Sequence, residues 1–100
     1  MTIRIVTDST SYLPRNLRRE LNIDVIPLNV HLGDESFRED EIDNHVFYKK
    51  MAACKQFPTT SQPAVQDFIT IFERHVSAGE AVVAIFLSSK MSGTYSTALL

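Results

Sequence analysis

Hydroxyl side chains are concentrated in one segment near the end of the sequence, SSKMSGTYSTA, which spans residues 88–98. This segment directly follows an apolar run, AVVAIFL, whose composition is typical of a buried β-strand. Serine and threonine donate hydrogen bonds without carrying charge, so a cluster of them can hold an anion, serve a catalytic step or cap a helix. The elements that surround the cluster distinguish between these three uses.

Two further polar clusters occupy comparable positions. Asp8-Ser9-Thr10 follows the first apolar run, and Thr59-Thr60-Ser61 precedes an amphipathic run. Ligands of open α/β sheets bind beyond the carboxyl ends of the strands, and helix N-termini carry unpaired N–H groups that suit an anion. Helix starts are predicted near Ser61 and near Ser92-Gly93-Thr94. Capping alone explains either hydroxyl group, but the two together favour an anion-binding site.

Covalent catalysis is the competing use of these serines. The nucleophile elbow G-x-S-x-G is absent, and His45 and His75 fall within predicted helices among charged residues, where solvated histidines are expected. His31 alternates with its apolar neighbours and is predicted to face away from them. Asp8 could act as a base or hold Mg²⁺, although a turn aspartate more commonly hydrogen-bonds nearby backbone N–H groups. A hydrolase or phosphotransferase that uses Asp8 and a serine is therefore an alternative.

The sequence contains no motif that predicts a metal or a cofactor. The acidic segment REDEID, residues 38–43, lacks the glycine and the regular oxygen spacing of an EF-hand loop. The phosphate-binding motif G-x-x-x-x-G-K-[ST] does not occur. Cys54 has no cysteine or histidine at ligand spacing and is expected to lie in the core at a helix end.

Length and composition are typical of a single soluble globular domain. The 100 residues are 44% hydrophobic and 22% charged, with a formal net charge of −2, so nucleic acid is not an expected partner. A single cysteine cannot form an internal disulfide, which favours the cytoplasm. The longest strongly apolar run, residues 81–87, is too short to insert across a membrane, and the N-terminus has no signal-peptide pattern.

Strand and helix patterns alternate along the chain. Periodicity and turn residues predict strands at 3–7, 23–32, 35–38 and 81–87, and helices at 14–22, 43–54, 65–76 and from Ser92-Gly93 onward. A phase slip at Ile26-Pro27 predicts a bulge or bend, residues 57–63 are predicted to be a loop, and strand 81–87 is predicted to be buried on both faces. The pattern predicts an α/β fold with a mostly parallel sheet flanked by helices.

Three motifs together resemble the DegV family of bacterial fatty-acid-binding proteins. They are VTDSTSYLP near the start, FPTTSQPAVQDF in the middle and FLSSKMSGTYSTA at the end. They occur in this order along the whole chain, and T-S-Q-P combined with S-G-T-Y is the specific part of the pattern. One small departure is Met91, which stands where leucine is frequent and preserves apolar volume.

The resemblance implies a two-domain α/β protein that holds a long-chain fatty acid, such as palmitate, between its domains. Residues 1–100 would then be the N-terminal domain, truncated at its carboxyl end inside the helix that contains Leu99-Leu100, and the second, lipid-covering domain would be absent. The family pattern implies that Thr60 and Ser92 bind the carboxylate. Five neighbours complete the expected ligand-binding set: Ser61, Gly93, Thr94, Asp8 and Ser9.

The function that follows from the resemblance is that of a carrier, not itself an enzyme. It would present the carboxylate of the fatty acid to a fatty acid kinase for phospholipid synthesis. The residues alone leave two alternatives open, namely the hydrolase or phosphotransferase described above and a protein-interaction module without a small ligand.

Overall fold

The computed structural model describes residues 2–100. Within that range the chain forms six strands, four α-helices and two single 3₁₀ turns. The strands are β1 (Ile3–Asp8), β2 (Asp24–Ile26), β3 (Asn29–Leu32), β4 (Glu35–Arg38), β5 (Thr59–Ser61) and β6 (Ala81–Ile85). The helices are α1 (Arg15–Leu21), α2 (Asn44–Ala53), α3 (Val65–Ser77) and α4 (Thr94–Leu99), and the 3₁₀ turns are Ser9–Ser11 and Glu39–Glu41.

The strands form two separate three-stranded sheets. The first is parallel, in the order β2-β1-β6, and its register pairs Ile3 with Ala81 and Thr7 with Ile85. The second is antiparallel, in the order β4-β3-β5. The predicted α/β class with a parallel sheet flanked by helices is confirmed, and the antiparallel sheet is an addition to it. No helix within residues 2–100 is long and apolar enough to cross a bilayer.

Pro27 separates the two sheets. The sequence predicted one strand from residue 23 to 32 with a bend at Ile26-Pro27, but the structure ends β2 at Ile26 and begins β3, in the other sheet, at Asn29. Proline cannot donate to a strand ladder, so the chain leaves the parallel sheet there. The next N–H, that of Leu28, donates instead to the Ser9 hydroxyl at 2.9 Å.

The segment TTS forms strand β5, although residues 57–63 were predicted to be a loop. It pairs antiparallel with β3, and its register places Thr60 opposite Val30. The prediction was wrong because a strand of three polar residues has no apolar alternation to reveal it. Its pairing depends on a partner about thirty positions away in the sequence.

The ends of the helices follow local sequence signals. Asp43 caps α2 by accepting a hydrogen bond from the His45 N–H at 2.8 Å. Gly79, just after α3, has a φ of +73°, the left-handed conformation that is common at helix ends. Asn22 adopts the same conformation at the end of α1, with a φ of +54°.

Helix α3 covers one face of the parallel sheet and forms the core with it. Phe68 packs with Val6 and Ile26, and all three side chains are at most 2% exposed. Phe72 and Phe86 pack against this cluster, and the Phe68 and Phe86 rings meet edge to face at 5.7 Å between centroids. Phe68 and Phe72 of the apolar stripe that predicted this helix pack into the core, whereas Val65, Ile69 and Val76 are 43%, 40% and 67% exposed.

Strand β6 was predicted to be buried on both faces, and this prediction was wrong. Val82 packs against the core, but Val83 and Ile85, which alternate to the other face, are 46% and 59% exposed. In the described part of the chain, β6 is an edge strand that pairs with β1 alone. An unbroken apolar sequence allows a strand to be buried on both faces. It does not by itself determine that both faces are packed against other elements.

His75 was expected to be a solvated helix residue, but it is buried between two carboxylates. Its Nε2 contacts Asp24, and its Nδ1 lies 3.0 Å from Glu80. Arg4 also donates to Glu80, at 2.7 Å, and Arg74 to Asp24, at 2.9 Å. This ion-pair network joins the end of α3 to β1 and β2. The prediction failed because Asp24 lies 51 positions away in the sequence.

Phenylalanines at two positions should differ sharply in their effect on stability. Phe68→Ala removes a ring from the centre of the core, so we expect it to lower the free energy of unfolding by roughly 3–5 kcal/mol. Phe57 is 93% exposed, and Phe57→Ala should therefore change it little. Urea denaturation followed by circular dichroism measures both. Equal effects of the two substitutions would contradict the assigned core.

The Glu80 network should make stability depend on acid pH. Hydrogen bonds from His75 and then from Arg4 hold the pKa of the Glu80 carboxyl below its ordinary value. A lowered pKa in the folded state means that the contribution is complete above the unfolded pKa, about 4.3, and is lost as pH falls through the folded value.

We therefore expect Glu80→Gln to be less stable than the unsubstituted protein near neutral pH, and the difference to vanish under strong acid. Urea midpoints measured at several pH values test this. Glu20→Gln, on the exposed side of α1, is the control that should show no such convergence. A constant difference across the whole pH range would argue against the network.

Candidate functional site

Asp8 joins the carboxyl ends of the two neighbouring parallel strands β1 and β6. It is 1% exposed. One carboxylate oxygen accepts hydrogen bonds from the Thr10 N–H, at 2.9 Å, and from the Thr10 hydroxyl, while the other accepts from the Leu87 N–H at 2.8 Å. The sequence analysis expected Asp8 to bond backbone N–H groups of its loop, and this is confirmed. Both oxygens therefore accept hydrogen bonds from the protein, and Asp8 ties the loop after β1 to the loop after β6.

Ser9 is likewise engaged in holding the structure. Its hydroxyl accepts from the Leu28 N–H and donates to Glu39 at 2.5 Å. The Tyr12 hydroxyl donates to the other oxygen of Glu39 at 2.6 Å. That hydrogen bond, together with partial burial and the charge of Glu39, raises the pKa of Tyr12 to about 12. Ser9 therefore anchors the junction between the two sheets.

The S-G-T motif forms a tight turn before α4. The Ser92 hydroxyl oxygen accepts from the Thr94 N–H at 3.2 Å and lies 2.9 Å from the Thr94 hydroxyl. Thr94 is fully buried, whereas Ser92 is half-buried. Either hydroxyl of this pair can be the donor, and the Ser92 proton is free for a further acceptor when Thr94 donates. This turn confirms the predicted helix start at the S-G-T motif.

The hydroxyls of β5 point in alternate directions. Thr60 lies on the same face as Val30, its register partner, and is exposed. Its hydroxyl makes no hydrogen bond to another residue between positions 2 and 100. Ser61 lies on the opposite face. Ser61 is not a helix cap, so that prediction was wrong: α3 begins at Val65, and the capping position is held by Ala64 without a side-chain bond.

Gln62 and Gly93 bring the two hydroxyl motifs side by side. A Cβ added to Gly93 would lie 2.2 Å from the Oε1 of Gln62, so the amide of Gln62 occupies the space that glycine leaves open. Gln62 belongs to the T-S-Q-P motif and Gly93 to the S-G-T motif. The contact therefore joins the segments that contain Thr60 and Ser92, which are more than thirty residues apart in the sequence. Neither Gln62 nor this close approach was identified from the sequence.

His31 forms a polar cluster with two serines on the outer face of the antiparallel sheet. Its Nδ1 lies 2.8 Å from the Ser36 hydroxyl and its Nε2 lies 2.9 Å from the Ser61 hydroxyl. The orientation away from Val30 and Leu32 is confirmed, since both of those side chains are buried. A serine–histidine pair needs a third group that orients the histidine, usually a carboxylate, and here a hydroxyl occupies that place. The cluster does not form a hydrolase triad.

No group of three potential metal ligands is present among residues 2–100. The acidic segment lies in and around the 3₁₀ turn Glu39–Glu41, where Glu39 is engaged by Ser9 and Tyr12.

Fold and site together place the chain among α/β proteins in which hydroxyl-bearing loops follow the strands of a parallel sheet. The chain belongs to the DegV family, whose profile, described as "Uncharacterised protein, DegV family", matches residues 2–100. This confirms the resemblance carried by the three sequence motifs.

Individual relatives extend the comparison. A DegV domain-containing protein of Halalkalibacterium halodurans, BH3627, is 48% identical over an alignment of 99 residues. The alignment covers 97% of this chain and 35% of that protein. The crystal structure of DegV from Bacillus subtilis, described as a fatty acid binding protein, superposes with a TM-score of 0.91 at 40% identity and covers 99% of this chain and 36% of that one. A DegV family protein from Thermus thermophilus, described by its fatty acid binding, gives a TM-score of 0.86 at 38% identity, with 99% and 36% covered. The chain therefore spans about a third of the length of the relatives that it matches.

Asp8→Ala should destabilise the fold through the loss of the link between β1 and β6. The substitution leaves the Leu87 N–H without its acceptor and removes bonds to a charged group, so we expect a loss of at least ~2 kcal/mol in the free energy of unfolding. Asp34→Ala, in the exposed turn between β3 and β4, should cost under about 0.5 kcal/mol. Urea denaturation of both variants measures the difference, and a similar small effect of both would show that Asp8 does not hold the two loops together.

Proposed function

We infer that this chain supplies the carboxylate-binding part of a long-chain fatty acid site, with the hydroxyls of Thr60 and Ser92 as donors. Two solved relatives of 38% and 40% identity are described as binding fatty acids, which supports this ligand class. The observation that carries the residue assignment is the contact of Gln62 with Gly93, because it joins the segments of the two motifs.

The hydroxyls suit the chemistry of a lipid carboxylate. A fatty acid is ionised at neutral pH, and burying its charge costs several kcal/mol unless donors replace the lost water. The Thr60 hydroxyl has no partner within residues 2–100, and the Ser92 hydroxyl can donate to a carboxylate when the Thr94 hydroxyl donates to Ser92. Hydrogen bonds to a carboxylate are of the stronger, charge-assisted kind. Thr94 and Gly93 then act as positioning residues for Ser92.

Large apolar side chains flank both motifs and are exposed. Phe57 precedes the T-S-Q-P motif and is 93% exposed, Met91 directly precedes Ser92 and is 80% exposed, and Tyr95 follows Thr94 at 49%. Each buried methylene of an acyl chain contributes about 0.8 kcal/mol, so the tail would provide most of the affinity. These side chains are candidates for contact with the tail, while the hydroxyls fix its orientation.

The role in the cell that fits this site is that of a cytoplasmic carrier. A carrier that grips the carboxylate by neutral hydroxyls keeps the reactive end near the surface, where a fatty acid kinase could phosphorylate it. The alternative of a hydrolase or phosphotransferase is weakened by Asp8, since both of its oxygens are engaged. The Ser61 hydroxyl is hydrogen-bonded to His31, and the Ser9 hydroxyl accepts from the Leu28 N–H. These two serines are therefore not proposed as the main carboxylate donors, which are Thr60 and Ser92.

The combined substitution of Thr60→Ala and Ser92→Ala should weaken palmitate binding. The loss of two charge-assisted hydrogen bonds is expected to reduce affinity by roughly tenfold to a hundredfold. Native mass spectrometry and fluorescent fatty acid displacement measure this. Hexadecanol, which lacks the carboxylate, should bind weakly to the unsubstituted protein and be indifferent to the substitutions.

A matched control uses hydroxyls of the same segments. Thr59→Ala with Ser96→Ala removes two exposed hydroxyls beside the motifs and should leave palmitate affinity unchanged. If both double variants bind palmitate equally well, the assignment of Thr60 and Ser92 is wrong. If the unsubstituted chain does not bind palmitate at all, the proposed function of this chain is wrong.

A further inference from the structure

A cavity that is open to the surface, and to which neither hydroxyl motif contributes, is lined by arginines. It has a volume of about 580 Å³ and lies between α1, the beginning of β2 and the end of α3. Five of the six arginines in the sequence line it: Arg4, Arg15, Arg18, Arg19 and Arg74. Neither Thr60 nor Ser92 belongs to its wall. The protein thus concentrates most of its guanidinium groups around one cavity.

The arginines differ in how their charge is balanced. Arg4 pairs with Glu80 and Arg74 with Asp24, so these two are held in place by carboxylates. Arg15 donates to the backbone carbonyl of Asp40 at 2.9 Å, which satisfies a hydrogen bond but does not neutralise the charge. Arg18 and Arg19 form no ion pair with any residue from position 2 to 100.

The wall of the cavity is positively charged although the protein is not. Five arginines against Asp24, Asp40 and Glu80, the partner of Arg4, leave a net charge of +2 with His75 counted as neutral, whereas the whole chain has a net charge of −2. Like charges gathered in a concave surface repel one another and raise the local concentration of anions. Arginines on a helix surface are ordinarily just solvated, but Arg18 is half-buried without a counter-ion, which an anion in the cavity would supply.

We propose that this arginine pocket binds a small phosphate-bearing anion. Guanidinium groups match phosphate oxygens with two parallel hydrogen bonds, which a lysine cannot do. Arg4 and Arg74 are fixed by their carboxylate partners and form a rigid wall, while Arg18 and Arg19 are free to close on the ligand. A volume of about 580 Å³ exceeds what inorganic phosphate needs and accommodates a diphosphate or a phosphate ester with an organic group.

Substitution of Asp40 should change the anion affinity in the opposite direction to substitution of the arginines. Its Oδ1 is buried without a hydrogen-bond partner among the described residues, and it lines the same cavity. A carboxylate there repels a bound phosphate. Asp40→Asn removes that charge, so it should tighten anion binding, whereas the removal of arginines should weaken it.

Isothermal titration calorimetry of the chain with pyrophosphate, and separately with ADP, tests the site at constant ionic strength. We expect saturable binding, a loss of roughly tenfold to a hundredfold in Arg18→Ala with Arg19→Ala, and a gain in Asp40→Asn. Lysines at positions 18 and 19 should restore only part of the affinity. The comparison of pyrophosphate with ADP shows whether the site accepts phosphates alone or requires a nucleoside.

Arg38→Ala is the matched control, because Arg38 is the sixth arginine and pairs with Asp67 outside the cavity. It should leave anion affinity unchanged, and palmitate binding should be unaffected by the substitutions at positions 18 and 19. Absence of saturable heat with both anions would overturn the proposal, as would equal weakening by Arg38→Ala. Binding of an acidic peptide at these arginines without binding of pyrophosphate would overturn it as well. These outcomes are independent of whether the chain binds fatty acid.

Discussion

The buried carboxylate of Asp8 is the interaction on which the arrangement of this molecule depends. It accepts from the Thr10 and Leu87 N–H groups, and Leu87 lies 79 positions away in the sequence. A charge that is 1% exposed is costly, and three donors offset that cost. The bond to Leu87 fixes where the chain emerges from β6, and so fixes where the S-G-T turn begins. The hydroxyl motif is thus positioned by Asp8, whose two carboxylate oxygens both accept hydrogen bonds from the protein.

Features that depend on neighbouring residues were predicted correctly from the sequence. Features that depend on pairing between distant residues were not. The stripe that contains Phe68 and the glycine at position 79 specify α3 and its end within a few residues, so both could be read directly. Strand β5 with Thr60 and the burial of His75 each depend on a partner far along the chain, and the exposure of Val83 shows that an apolar run does not by itself specify burial on both faces. The hydroxyl motifs were identified by resemblance, while the arginine pocket was not, because its residues come from five separate elements.

The two proposed anion sites differ in their chemistry. The hydroxyl motifs offer neutral donors beside exposed apolar side chains, which suits a charged group attached to a long apolar tail. The arginine pocket offers net positive charge and few apolar groups, which suits a compact, highly charged anion. The parallel sheet separates the two, since the hydroxyl turn follows the carboxyl end of β6 whereas the arginines gather beside the edge strand β2.

The pairing of β1 with β6 also sets the order in which the chain can fold during synthesis. Ile3 and its register partner Ala81 are separated by 78 positions, and translation at about 5–20 residues per second needs roughly 4 to 16 s to produce that interval. Until β6 is made, the three-residue strand β2 is the one native strand partner that the described part of the chain offers to β1. The edge of β1 that pairs with β6 therefore stays without its native partner until translation has almost reached the S-G-T turn.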